Sequence, residues 1–452
     1  MGRITLRQAA AWCGGQVEAQ FADITFLGAN NDSRKLQPGQ LFIALQGERD
    51  GHDFIPMAME KGAAAVLCSK PCPGVPAILV TDTRLALGDI AREERKRIGM
   101  KVVGVTGSVG KSTTKEMIAQ VLQGSYRVAK TPVNQNNDIG MPMAILSMAE
   151  DTEVAVLEMG MNHFREIAYL SNIAAPDIGV IVNIGTMHIE HLGTREGILR
   201  AKMEILEGMG SKGLLLLNGD DDLLCTQKDT ADVTIRFFGW KNENADLLAR
   251  QVQEENGTIR FSVKAQQDQF AVSLMLEGRH YVLDAMAAVA VGLAMNVAPE
   301  QISCRLEQFQ NMEGRQEIFE ARGYTIIKDC YNAGPESMAA ALRVLANRQG
   351  RKIAVLGDML ELGPRAKAEH YQVGRTVAET ADMLFAYGEN SERVVSGAIT
   401  GGLPAAKALC FIDRERLVEK LKILAKPGDT ILFKGSRGMR MELALEGFLK
   451  ET

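Results

Sequence analysis

The stretch Lys101-Val102-Val103-Gly104-Val105-Thr106-Gly107-Ser108-Val109-Gly110-Lys111-Ser112 decides the fold of the central part of this chain. Lys101 to Val105 is a short apolar run suited to a buried strand. A glycine loop follows, and from Thr113 to Leu122 the pattern is helical. Strand, glycine loop and helix N-terminus in that order form a phosphate cradle. The glycines let backbone N–H groups close on phosphate oxygens, and the helix adds the positive end of its dipole. Lys111 supplies a point charge for β- and γ-phosphates, and the Ser112 hydroxyl can ligate Mg²⁺. The wider spacing Gly-x₄-Gly-Lys-Ser would put glycine where the chain has Val105, so the loop from Gly107 is the tighter form. Gly107, Ser108, Gly110, Lys111, Ser112 and Thr113 are thus the expected phosphate contacts of an ATP-using enzyme.

Around this loop the chain is ordinary in composition. Its 452 residues are 46% hydrophobic and 24% charged with a net charge of -5. That balance argues against a basic nucleic-acid binder, and length alone suggests about three domains. The start of the chain has no apolar signal core, and no run approaches the roughly 18 apolar residues of a membrane span. The seven cysteines are scattered and complete no zinc spacing. A cytoplasmic enzyme with no membrane association and reduced thiols is expected.

Working outward, residues 1–98 read as a small α/β unit with strands at Leu41–Leu45, Ala64–Leu67 and Ala77–Val80. Residues 99–313 form a central unit. Strands at Val154–Leu157, Ile178–Val182 and Leu214–Leu217 join the first one in a parallel sheet covered on both faces. Thr258–Val263 and Gln269–Leu276 predict an antiparallel ribbon at its edge, followed by a helix over Val282–Met295. Residues 314–452 repeat a strand–helix rhythm, with strands at Thr325–Ile327, Ile353–Leu356, Met383–Ala386 and Thr430–Phe433. This is a Rossmann-like order.

Three residues downstream of the loop suggest a metal site. Glu158 follows the strand Val154–Leu157 at its carboxyl end, where open parallel sheets bind ligands. His188 follows the strand Ile178–Val182 at the same edge. Lys202 lies within the apolar stripe of the helical pattern Arg195–Met209, spaced from Ile198, Leu199, Ile205 and Leu206 by three or four residues. Such a lysine either snorkels to the surface or is buried, with a lowered pKa and a nucleophilic amine that can take up CO₂ as a carbamate.

Further motifs make the chain resemble the Mur ligase family over nearly its whole length. Asp32-Ser33-Arg34, the segment Pro38 to Gly47, and Asp50-Gly51-His52-Asp53-Phe54 are similar to the UDP-holding domain of the branch that adds D-alanyl-D-alanine. Thr131 to Pro142 resembles the asparagine-rich loop that meets the sugar-peptide. Gly314-Arg315-Gln316-Glu317, Asp329 to Met338 and Lys434-Gly435-Ser436-Arg437 resemble the C-terminal ligase motifs.

The resemblance implies an amide-forming ligase acting on UDP-MurNAc-tripeptide, ATP and D-Ala-D-Ala, as a monomer. It implies Ser33, Arg34, Gly47, Asp50, His52, Asn134, Asn136 and Asn137 on the UDP-MurNAc-peptide, and Asp329, Tyr331, Asn332, Lys434 and Ser436 on the D-Ala-D-Ala side. Asp284 and Arg315 join the ATP contacts. Ser112 and Glu158 would hold one Mg²⁺, and Glu158, His188 and carbamylated Lys202 a second, with Lys111, His188 and Lys202 the catalytic set. Two departures stand out. The family's His-Asn-x-x-Asn is here His280-Tyr281-Val282-Leu283-Asp284, and Gly334 replaces a usual asparagine. The Asp-Asn-Pro-Arg motif of the diaminopimelate-adding relative does not occur.

Overall fold

The computed structural model describes residues 4–229, 232–265 and 269–450. The first unit is built on a parallel sheet of Ala29–Asn30, Leu41–Ile43, Ala65–Cys68 and Ala77–Leu79, paired in that order. The helix Thr83–Ile98 buries Ala86, Leu87, Ile90 and Ala91 on one face. It begins where the Asp82 carboxylate accepts from the amides of Arg84 and Leu85, and it stops at Gly99, whose φ of 72° is left-handed.

The central sheet has nine strands. From one edge they run Val128–Lys130, Val154–Glu158, Lys101–Thr106, Ile178–Ile181, Leu214–Asn218, Thr234–Gly239 and Leu247–Glu255, all parallel. Thr258–Ala265 and Gln269–Leu274 then complete an antiparallel edge. Val102, Val103 and Val105 are buried, as a strand covered on both faces requires. The helices Lys111–Leu122 and Tyr281–Ala294 pack together on one face.

The third sheet orders Glu317–Ala321, Tyr324–Asp329, Thr430–Lys434, Lys352–Gly357, Met383–Tyr387 and Ala408–Phe411. The first pair is antiparallel and the others are parallel. This is the expected three-part α/β architecture, with a parallel central sheet, an antiparallel ribbon and a Rossmann-like third unit. Among the described residues no helix is long and apolar enough to cross a membrane.

Several expectations need correction. The ribbon has three strands, because Leu247–Glu255 pairs with Thr258–Ala265. The phosphate-loop helix begins at Lys111 rather than Thr113. Glu158 is the last residue of its strand rather than the first beyond it. The helix from Arg195 ends at Met203 and tightens into a 3₁₀ turn over Glu204–Gly208.

In the third unit the helices Ala366–Thr380 and Ser391–Thr400 meet through glycines. A Cβ on Gly374 would lie 2.0 Å from the Val394 carbonyl oxygen, and one on Gly397 would lie 2.0 Å from that of Tyr371. Gly374→Ala therefore forces the helices apart and is expected to lower stability by about 1–3 kcal/mol. Thermal or urea denaturation checks this; an unchanged midpoint would contradict the close packing.

Candidate functional site

Strand register gathers the site. Val105 pairs with Glu158 and Thr106 with Ile181, so the phosphate loop, Glu158 and the segment leading to His188 leave the sheet at one edge. Gly110, at φ 83°, precedes the helix. A Cβ there would lie 2.6 Å from Asp284 Oδ1, so only glycine fits. Asn183 braces the loop from the neighbouring strand: its Oδ1 accepts from the amides of Ser108 and Val109 at 3.1 and 3.0 Å, and its Nδ2 donates to the Val109 carbonyl at 2.9 Å. Lys111 Nζ donates to the carbonyls of Gly107 and Ser108 at 2.8 and 3.2 Å.

Glu158 is 4% exposed and joins two other segments. Its Oε2 accepts from Ser112 Oγ at 2.7 Å, and its Oε1 accepts from Asn136 Nδ2 at 2.8 Å. Arg315, from the third unit, donates from Nη2 to Ser112 Oγ at 2.8 Å. The Arg315 guanidinium lies 3.9 Å from the centre of the Tyr331 ring, whose hydroxyl donates to Asn134 Oδ1. Two further contacts join the third and central units. Glu336 Oε1 accepts from the amide and hydroxyl of Thr186 at 2.9 and 3.1 Å, and Glu361 Oε2 lies 2.9 Å from His188 Nδ1.

These segments enclose a cavity of about 930 Å³. Arg84 lines it from the first unit. Ser108 to Thr113, Asn134, Asn136, Asn137, Glu158, His188 and Asp284 line it from the central unit, and Arg315, Asp329, Tyr331, Asn332 and Lys434 from the third. Lys434 Nζ donates to Asp329 Oδ2 at 2.6 Å and to the Asn332 carbonyl at 3.0 Å.

Other expected residues sit elsewhere. Ser436 accepts from the Leu360 amide and is buried behind this wall. Gly107 packs on Val182. Ser33, Arg34, Gly47, Asp50 and His52 do not line the cavity. Arg34 pairs with Asp32, while Asp50 joins Lys70 and His52, whose Nε2 accepts from the Ser69 amide at 3.0 Å.

Burial sets the charges. Lys202 is 1% exposed, so it does not snorkel. Burial first, and then the Lys111 charge, hold its amine well below the usual lysine range. Burial likewise lowers Lys111, against the pull of Glu158. Asp284 is pushed up to about 7 by burial, and its Oδ1 accepts from Thr114 Oγ1 at 2.8 Å. It is therefore turned toward the phosphate-loop helix. His280 is pushed down to about 4 by burial.

The donors suit a hard divalent ion. Ser112 and the buried Glu158 present oxygens together, and His188 lines the same cavity with its Nδ1 beside Glu361. Among the described residues no three His, Cys, Asp or Glu side chains form a metal-holding group.

Three comparisons bear on this arrangement. Residues 23–95 match the description "Mur ligase family, catalytic domain", residues 105–292 "Mur ligase middle domain" and residues 314–437 "Mur ligase, glutamate ligase domain". The chain belongs to the Mur ligase family. It is 40% identical over 438 residues to the UDP-N-acetylmuramoyl-tripeptide–D-alanyl-D-alanine ligase of Bacillus subtilis (strain 168), covering 95% of this chain and 94% of the relative. It resembles the crystal structure of MurF from Acinetobacter baumannii at TM-score 0.92 and 32% identity, covering all of both chains. It also resembles MurF ligase from Thermotoga maritima in complex with ADP at TM-score 0.83 and 32% identity, covering 94% and 97%.

Within this Mur ligase site, Asn183, Glu336, Glu361 and the fully buried Lys115 were not expected from the sequence. Lys115 Nζ donates to the Thr131 carbonyl at 2.6 Å and so ties the phosphate-loop helix to the asparagine-rich loop. The signal that could have found Asn183 is its place just past the strand Ile178–Ile181, since a strand-end asparagine beside a phosphate loop is a natural amide clamp.

Lys202 has no ion pair among the described residues, and such burial costs folding energy. Lys202→Met fills similar volume without the amine and is expected to raise stability by roughly 1–3 kcal/mol. Thermal denaturation tests this, and a lower midpoint would contradict the unpaired burial.

Proposed function

We propose that this chain is an ATP-dependent ligase that joins D-alanyl-D-alanine to UDP-N-acetylmuramoyl-tripeptide, giving the UDP-linked pentapeptide, ADP and phosphate. The observation that carries the reading is a cavity walled by residues of all three units and lined by the phosphate loop. The name and length match of the Bacillus subtilis relative supports the same substrates.

A carboxylate is a poor electrophile, so amide formation needs activation. The tripeptide's terminal carboxylate attacks the γ-phosphorus of ATP, an acyl phosphate forms, and ADP leaves. The neutral amine of D-Ala-D-Ala then attacks the acyl carbon and phosphate departs. The loop amides and Lys111 hold the phosphates, while Arg315 reaches Ser112 from the third unit and adds positive charge beside them. Asn134, Asn136 and Asn137 line the cavity and would meet the peptide carboxylate, while Asp329, Tyr331, Asn332 and Lys434, also in its lining, would meet the amine. Asp50 and His52 form a polar cluster with Ser69 and Lys70 away from the cavity lining, and with Ser33, Arg34 and Gly47 they would hold the UDP end.

Mg²⁺, held by Ser112 and Glu158 and, for a second ion, by Glu158, His188 and carbamylated Lys202, would neutralise the transferring phosphate. The Lys202 amine, made easier to deprotonate by burial, would add to CO₂ as the free base and release a proton, leaving an anionic carbamate. Movement of the third unit about Met312-Glu313-Gly314 lets substrates enter, and its closure excludes water from the acyl phosphate. The reading carries with it a cytoplasmic monomer acting in peptidoglycan precursor synthesis.

Phosphate release from ATP is expected to require both UDP-MurNAc-tripeptide and D-Ala-D-Ala; release independent of both would defeat the proposal. Lys202→Ala is expected to lose turnover by about a hundredfold or more, and CO₂-free buffer to depress the parent enzyme. Normal turnover in the variant would refute the carbamate.

A further inference from the structure

Glu361 has no place in the reading above, yet it touches one of its principal residues. His188 lines the cavity, and its buried Nδ1 lies 2.9 Å from Glu361 Oε2, at hydrogen-bonding distance. No other group partners that nitrogen among the described residues. The two residues belong to different units: His188 precedes the short helix Ile189–Leu192, and Glu361 follows the strand Lys352–Gly357.

Both backbones are held in the left-handed region, with φ of 63° at each. That conformation is disfavoured for residues with side chains and persists where the surroundings hold it. The two loops also pack together: a Cβ on Gly363 would lie 3.0 Å from Glu190 Cγ. The carboxylate is therefore presented to His188 by a shaped contact between units.

A neutral imidazole carries one proton, and the nitrogen that keeps it is set by the partner of that nitrogen. A carboxylate at Nδ1 holds the proton there, fixes the ring and leaves the Nε2 lone pair for a metal ion. We propose that Glu361 is a positioning residue for His188, supplied by the third unit when it closes on the central one. The proposal rests on His188 being a metal ligand. It makes the tautomer of that ligand depend on closure, so that metal binding and closure favour each other by the same factor.

The test uses the full chain and its Glu361→Ala and Glu361→Gln variants. Mn²⁺ binding is followed by electron paramagnetic resonance with ADP present, and ADP binding is measured separately in EDTA. The expected result is an affinity for Mn²⁺ about tenfold weaker in Glu361→Ala. Glu361→Gln, which keeps an oxygen acceptor, recovers most of the loss, and ADP binding in EDTA is unchanged in both. In a His188→Ala background, Glu361→Ala is expected to add nothing further. Mn²⁺ affinity within about twofold of the parent in Glu361→Ala overturns the proposal. So does an equal loss of ADP binding in EDTA, or an undiminished effect without His188. None of these readouts needs turnover, so failure here is distinct from failure of the ligase reading, which the phosphate-release assay decides.

Discussion

The pair formed by Glu158 and Ser112 is the contact on which the rest of the site depends. It exists because two neighbouring parallel strands end in register, one in a carboxylate and the other in a glycine loop. The asparagine-rich loop reaches the same carboxylate through Asn136, and the third unit reaches the same hydroxyl through Arg315. Four separate parts of the chain thus meet on two side chains. Burial strengthens each link, since an acid that is 4% exposed must find partners within the protein.

Around that pair the protein keeps several lysines away from water. Lys111, Lys115, Lys202 and Lys434 all sit in the interior or at the cavity wall. Three of them have partners: loop carbonyls for Lys111, the Thr131 carbonyl for Lys115, and Asp329 with the Asn332 carbonyl for Lys434. Lys202 differs, and it lies on a helix whose other buried residues are Gly197, Ile198 and Ala201. A fold selected for stability alone would place an apolar residue there. The burial of Lys202 in an apolar stripe without an ion pair among the described residues is what the proposed carbamate rests on.

Much of this was legible in the sequence. The continuous apolar runs Val154–Leu157, Ile178–Val182 and Leu214–Leu217 announced central strands because such strands are buried on both faces. The strands that escaped notice, such as Val128–Lys130, Thr234–Gly239, Leu247–Glu255 and Glu317–Ala321, are part-exposed, with polar residues interrupting their patterns. The phosphate loop was local and readable, as were Glu158 and the misplaced-looking Lys202. Glu336 and Glu361 were not, because an exposed-looking acid in one unit gives no local hint of a partner some 150 or more residues away in another. The His52 cluster was singled out by resemblance, yet the structure sets it apart from the main cavity.

In the proposed reaction the three-walled cavity activates a carboxylate as an acyl phosphate and passes it to an amine. Oxygen-isotope transfer tests this directly. With UDP-MurNAc-tripeptide carrying ¹⁸O in the terminal carboxylate, ATP and D-Ala-D-Ala, the released phosphate is analysed by mass spectrometry or phosphorus NMR. The account predicts one ¹⁸O in each phosphate released with product. Phosphate free of the label, alongside pentapeptide formation, would contradict it.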